Sequence, residues 1–256
     1  MPFVTISQRR MYYEIHGDGD TIVLLHHGFG CTKMWKEIYP AFVEKGYRVV
    51  MYDRRGYGES ERGADFEQFY ISDGFRYESV EDMAHLMKLF EIDSFHIIGQ
   101  CEGGVIGVDY AVKYPEQVKT IVTSSTQCYS TVTMTEFNKM KFPHFFIDLE
   151  PELKDKLILW HGKDYAETFF NMFCTKGGAY GTGVFYLRDA LPSVKCPALV
   201  LYPDRSHFFD VEQGVEFYRH LVEGELAVLP KCGHNTYEHQ PGEYVRHVLA
   251  FLARRQ

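Results

Sequence analysis

A chain of 256 residues with net charge −8, 45% apolar and 24% charged residues, has enough material for one large domain with a full core. It holds no run of about 18 uncharged apolar residues, which argues against a membrane partner, and its acidic balance with scattered Lys and Arg argues against nucleic acid. Met1-Pro2-Phe3-Val4-Thr5 shows no basic segment leading into an apolar run, so no secretory leader is expected. Six cysteines without a CxxC pair (Cys31, Cys101, Cys128, Cys174, Cys196, Cys232) suggest free thiols in a reducing, cytoplasmic compartment.

Short strands are expected at 3–6 and 11–16, separated by a turn at Gln8-Arg9-Arg10. The apolar run 21–25 reads as a strand buried on both faces, ending in His26-His27-Gly28-Phe29-Gly30. A helix fits 34–45, stopped by Gly46, and a strand fits 47–52, running into Asp53-Arg54-Arg55-Gly56-Tyr57-Gly58. Ser79 looks like an N-cap, followed by Val80, Met83, Leu86, Met87 and Phe90 at helical spacing. A buried strand at 94–99, a helix at 102–113 and a strand at 119–123 follow.

From 128 to 193 the alternation breaks. The segment is rich in aromatics, including Phe142, Phe146, Phe170 and Tyr180, and carries a glycine cluster over 177–183. It reads as a mostly helical insertion. Alternation resumes with strand 197–202, helix 211–222, strand 225–229 and helix 241–254. Repeated βα units imply a mainly parallel twisted sheet with helices on both faces, in a single domain over 1–256.

The segment Phe95-His96-Ile97-Ile98-Gly99-Gln100-Cys101-Glu102-Gly103-Gly104 is a strand, a tight G-x-C-x-G turn and a helix. Such an elbow lifts the central side chain above the sheet at a helix N-terminus, where unpaired N–H groups and the helix dipole favour an anion. The Cys101 thiol is therefore expected as a nucleophile with a depressed pKa, ~7.5 or lower. His234, in the Gly233-His234 turn after the last strand, is its expected general base. No metal-ligand spacing is seen and no cofactor is required.

With His27-Gly28-Phe29-Gly30, Asp53-Arg54-Arg55-Gly56-Tyr57-Gly58, Gly99-Gln100-Cys101-Glu102-Gly103-Gly104 and Gly233-His234, the chain resembles the α/β-hydrolase superfamily over nearly its whole length. The cysteine resembles that of dienelactone-hydrolase-type enzymes; the insertion before Pro197 is more like the esterase, lactonase and haloperoxidase-like group. The resemblance implies an α/β-hydrolase fold, a cap formed by 128–193, and an oxyanion hole from the backbone N–H groups of Phe29 and Glu102. It places the triad acid three residues beyond Pro203, where this chain has Ser206. No carboxylate follows the strand at 119–123 either, in Thr123-Ser124-Ser125-Thr126-Gln127. Asp204 and Asp210 remain, with Asp204 favoured and Ser206 as a possible substitute.

The expected function is hydrolysis of an ester, lactone or thioester of a small apolar acid through an acyl-Cys101 intermediate. His27, Gly28, Gln100, Phe142, Phe146 and Phe170 are expected to line the substrate pocket of a monomer or homodimer. A lyase, a cofactor-free oxygenase, or a ligand-binding hydrolase relative without turnover remain alternatives on the same fold. Glu102 is left open between a solvated or paired carboxylate and one that positions substrate or water.

Overall fold

In the computed structural model, which describes residues 2–143, 145–176 and 183–255, the chain opens with two antiparallel strands, β1 (Phe3–Ile6) and β2 (Arg9–His16). The turn between them falls at Ser7 and Gln8, at φ of 49° and 64°, so β2 starts two residues earlier than expected. Next come β3 (Asp20–Leu25), α1 (Tyr39–Glu44), β4 (Tyr47–Tyr52), α2 (Phe66–Tyr70), α3 (Phe75–Leu89), β5 (Phe95–Gln100), α4 (Glu102–Lys113) and β6 (Val118–Ser124). The segment from there to the seventh sheet strand contains β7 (Tyr129–Thr133), α5 (Met134–Lys141), α6 (Pro151–His161), α7 (Lys163–Lys176) and β8 (Val184–Tyr186). The chain closes with β9 (Ala198–Pro203), α8 (Glu212–His220), β10 (Gly224–Leu229), α9 (Thr236–His239) and α10 (Pro241–Ala253).

Eight strands form one sheet in the order β1-β2-β4-β3-β5-β6-β9-β10, parallel from β4 to β10. Strands β5 and β9 are buried throughout and β3 from Thr21 onward, which explains why apolar residues occupy both faces of these strands. One face packs Met83, Leu86 and Met87 of α3 with Val105, Ile106 and Val108 of α4; the other packs Phe42 of α1 with Val248, Phe251 and Leu252 of α10. This is an α/β-hydrolase fold. Among the described residues no helix is long and apolar enough to cross a membrane.

Two expectations are corrected, and a third gains a detail. The helix expected at 34–45 is a 3-10 turn at Thr32–Trp35 followed by the short α1, which Pro40 starts within its first turn. Ser79 is not an N-cap: α3 begins at Phe75 and buries Ser79 in mid-helix. The insertion is helical, but β7 and β8 pair as a separate two-stranded sheet. Tyr180 and most of the glycine cluster lie outside the described residues.

Glycine is needed where β5 turns into α4. A Cβ on Gly103 would stand 2.1 Å from the carbonyl oxygen of Leu25, and one on Gly99 would stand 2.5 Å from that of Gly103. Strand β3, strand β5 and helix α4 thus touch backbone to backbone. Gly103→Ala is expected to lower stability by ~1–3 kcal/mol through overpacking, read as a lower urea midpoint at unchanged slope. An unshifted midpoint would mean that α4 withdraws freely.

Candidate active site

Cys101 caps α4 with φ 51° and ψ −114°, a left-handed backbone that a side chain adopts only at a cost of ~1–3 kcal/mol. Its neighbours hold it there. The Cys101 N–H donates to the Ser124 carbonyl (2.8 Å), and its own carbonyl accepts from the Gly104 N–H (2.9 Å). The residue remains partly exposed, in the wall of a cavity of about 470 Å³.

The thiol is not the primed anion expected. Burial pushes its pKa up to about 12, the Glu102 carboxylate pushes the same way, and the Glu102 N–H and Arg54 oppose them without prevailing. A helix N-terminus favours a thiolate only while water or a cation shares the site.

Glu102 is paired, not solvated. It is 4% exposed, lies 2.6 Å from Nη2 of Arg54, and accepts the Tyr57 hydroxyl at 2.9 Å. Arg54, 3% exposed, also donates to the carbonyls of His26 (3.1 Å) and His27 (3.3 Å), and stacks over the Tyr57 ring. The turn after β4 therefore braces both the residue after Cys101 and the His27-Gly28 loop.

That loop carries a correction. The Phe29 N–H, expected in the oxyanion hole, donates to Nδ1 of His27 at 3.1 Å. Nε2 of His27 then bears the proton and donates to the Tyr237 hydroxyl, also at 3.1 Å. Burial first, then Arg54, lowers the His27 pKa to about 3, which keeps the ring neutral. The Glu102 N–H is directed at the Cys101 sulfur. His161, at the end of α6, accepts the Gly58 N–H (3.1 Å) and donates to the Phe29 carbonyl (2.8 Å), fixing the loop from above. Sequence reasoning missed His161; an imidazole ending an insertion helix was its only signal.

His234 lines the same cavity as Cys101. Among the described residues no hydrogen bond joins the sulfur to the imidazole. The His234 carbonyl is gripped by the Gln100 side-chain amide (2.9 Å) and the Ser125 hydroxyl (2.6 Å). Burial, then His27, His207 and His239, holds the His234 pKa well below its ordinary value.

The acid assignment is corrected as well. Asp204 accepts the Cys232 N–H at 3.0 Å and does not reach His234; its carboxyl is held low by the backbone N–H groups of Lys231 and Cys232. Asp210 accepts the Glu212 N–H at 3.0 Å as α8 begins. The partner of Nδ1 of His234 is the hydroxyl of Ser206, at 3.2 Å.

Of the residues expected around substrate, His27, Gly28 and Phe142 line the cavity. Gln100 does not: it is fully buried and bonds to His234 and Thr236. Phe146 and Phe170 do not either. They form a small core with Leu149 and Leu157, on which Phe29 rests against Phe170. Phe137, Trp160, Phe173 and Phe208 face the cavity instead. An aromatic-rich segment announces a pocket wall, but its helical phase decides which rings face in.

Charge in the cavity is one-sided. Among the described lining residues are four carboxylates (Glu102, Glu150, Glu152, Glu238) and one ammonium, Lys156. Lys156 is ion-paired to both Glu152 and Glu238.

A family model described as alpha/beta hydrolase fold matches residues 20–149. The 2-hydroxy-6-oxononadienedioate/2-hydroxy-6-oxononatrienedioate hydrolase of Comamonas testosteroni is 22% identical over 98% of this chain and 96% of its own length. The meta-cleavage product hydrolase of Pseudomonas fluorescens IP01 superposes with a TM-score of 0.80 at 18% identity, over 99% of this chain and 98% of its own. The enol-lactonase of Burkholderia xenovorans LB400 superposes at 0.76 with 20% identity, over 98% of this chain and 100% of its own.

Proposed function

This chain belongs to the α/β hydrolase fold family, and on that premise we propose that it is a hydrolase of small, uncharged carbonyl compounds that works through an acyl-Cys101 intermediate. The observation that carries the reading is the strained Cys101 elbow, which presents a sulfur to a largely aromatic cavity that His234 also lines. In the proposed reaction Sγ adds to the carbonyl carbon while His234 takes the thiol proton. The tetrahedral oxygen is met by the Glu102 N–H, and the bond to the leaving group breaks as His234 returns the proton to it. Water, deprotonated by His234, then cleaves the thioester and restores the thiol. The segment between β6 and β9 acts as the cap.

The cavity's charge narrows the substrate. The Comamonas relative is named for dienedioates, which carry carboxylates. Here the one lining ammonium is already doubly paired and Arg54 is committed to Glu102, so an incoming carboxylate would meet a net-acidic lining with no free ammonium or guanidinium among the described lining residues. An ester or lactone of an uncharged acid fits better.

Incubation with p-nitrophenyl esters of acetic, butyric, benzoic and succinic acids, read by nitrophenolate release and intact mass, tests this. The expected result is an acyl mass on Cys101 and at least about a tenfold preference for the neutral acids over succinate, ~1.4 kcal/mol. A site that only holds ligands, which a serine at the acid's position would suit, predicts saturable binding without nitrophenolate. Absence of both turnover and adduct across the panel overturns the hydrolase reading.

A further inference from the structure

We infer that Ser206 fixes His234 in the tautomer that carries its proton on Nε2, the reverse of the one a triad carboxylate imposes. The basis is a count of donors and acceptors around one oxygen. Ser206 Oγ lies 3.2 Å from the N–H of Phe208, 3.2 Å from the N–H of Phe209 and 3.2 Å from Nδ1 of His234. A hydroxyl has two lone pairs and one proton. The two backbone N–H groups can only donate, and they fill both lone pairs. The hydroxyl proton is what remains for the third contact, so Nδ1 must accept it. A neutral ring that accepts at Nδ1 carries its hydrogen at Nε2.

A carboxylate at this position has lone pairs for all three donors. It would take both backbone N–H groups and an Nδ1–H together, leaving Nε2 as a free base. With Ser206, Nε2 points a donor where the base should be. Before the imidazole can take a proton from Cys101, its own proton must move to Nδ1. The Ser206 hydroxyl must then turn and release one backbone N–H. Ser206 is thus a positioning residue that sets which protonation form of His234 rests in the site. The resting Nε2–H suits a carbonyl or leaving-group oxygen as a hydrogen-bond donor, and it leaves the thiol protonated. Its effect on rate rests on the hydrolase reading; the tautomer rests on the hydrogen bonds alone.

Long-range proton–nitrogen correlation on ¹⁵N-labelled protein, with His234→Asn to assign the ring signals, reads the tautomer directly. The wild-type ring is expected to be protonated at Nε2. Ser206→Asp should move that proton to Nδ1 and raise ester turnover by about 10²-fold or more, since a wrong tautomer costs roughly 10⁴ in kcat in a serine triad. Ser206→Ala, which removes the hydroxyl and keeps the fold's volume, should yield a mixture of both tautomers. A wild-type ring protonated at Nδ1 overturns the inference whatever the activity. The expected tautomers with no turnover in any variant would leave the inference standing and remove the hydrolase reading. A proton that moves in Ser206→Asp without a faster reaction would refute the claim that Ser206 limits catalysis.

Discussion

Cys101→Ser is expected to lower kcat/KM on the best p-nitrophenyl ester by about 10²-fold or more, ~2.7 kcal/mol in activation, with an unchanged melting temperature. The stability part follows from the elbow: Gly99 and Gly103 set the turn, and a hydroxyl occupies less space than a thiol. The rate part follows from the environment of His234. Its pKa is depressed by burial, and the group behind it is Ser206 and not a carboxylate. A hydroxyl is a weak nucleophile unless a well-oriented base removes its proton, whereas sulfur is nucleophilic with less help. Cys101→Ala supplies the floor in the same assay. A serine variant as fast as the parent would mean that position 101 is not attacking the substrate, or that His234 has a carboxylate's support that the structure does not contain.

Arg54→Ala is expected to cost ~3–5 kcal/mol of stability, the larger of the two structural effects foreseen here. The guanidinium and the Glu102 carboxylate are 2.6 Å apart and almost wholly shielded from water. Removing the cation strands the carboxylate between the Tyr57 hydroxyl and the aromatic wall, and also frees the carbonyls of His26 and His27. Removing both charges should hurt less: Arg54→Met with Glu102→Gln is expected to recover more than half of the loss, because a buried pair repays little beyond its own desolvation. Urea unfolding of both variants checks this. A single-variant loss under ~1 kcal/mol would show that water reaches the pair.

Much of the framework could be read from residue pattern. The apolar run at 21–25 reads as a doubly covered strand, and the Gly99-to-Gly104 spacing after the short strand at 94–99 gave away the elbow. What escaped has physical causes. The β7–β8 pairing joins residues more than fifty apart, which no local pattern records. Cys101's pKa moved the wrong way because the helix-end effect is local and visible in sequence, while burial and the Glu102 field depend on tertiary packing. Asp204 was plausible by position alone, but a loop carboxylate has nearby backbone donors to satisfy, and Cys232 took it. Phe146 and Phe170 were the right kind of residue on the wrong side of their elements.

The wall above Cys101 is fastened at several corners. His161 holds the Gly58 amide and the Phe29 carbonyl, Lys33 reaches the Leu159 carbonyl, Lys141 reaches the His207 carbonyl, and Lys156 is tied to Glu238. Swinging the whole insertion outward would break these ties at once, at up to ~1 kcal/mol apiece. Molecules should therefore come and go by the turning of individual rings at the rim, in nanoseconds, and not by a slow hinge. An architecture of that kind sorts callers by girth and stiffness before any bond is made.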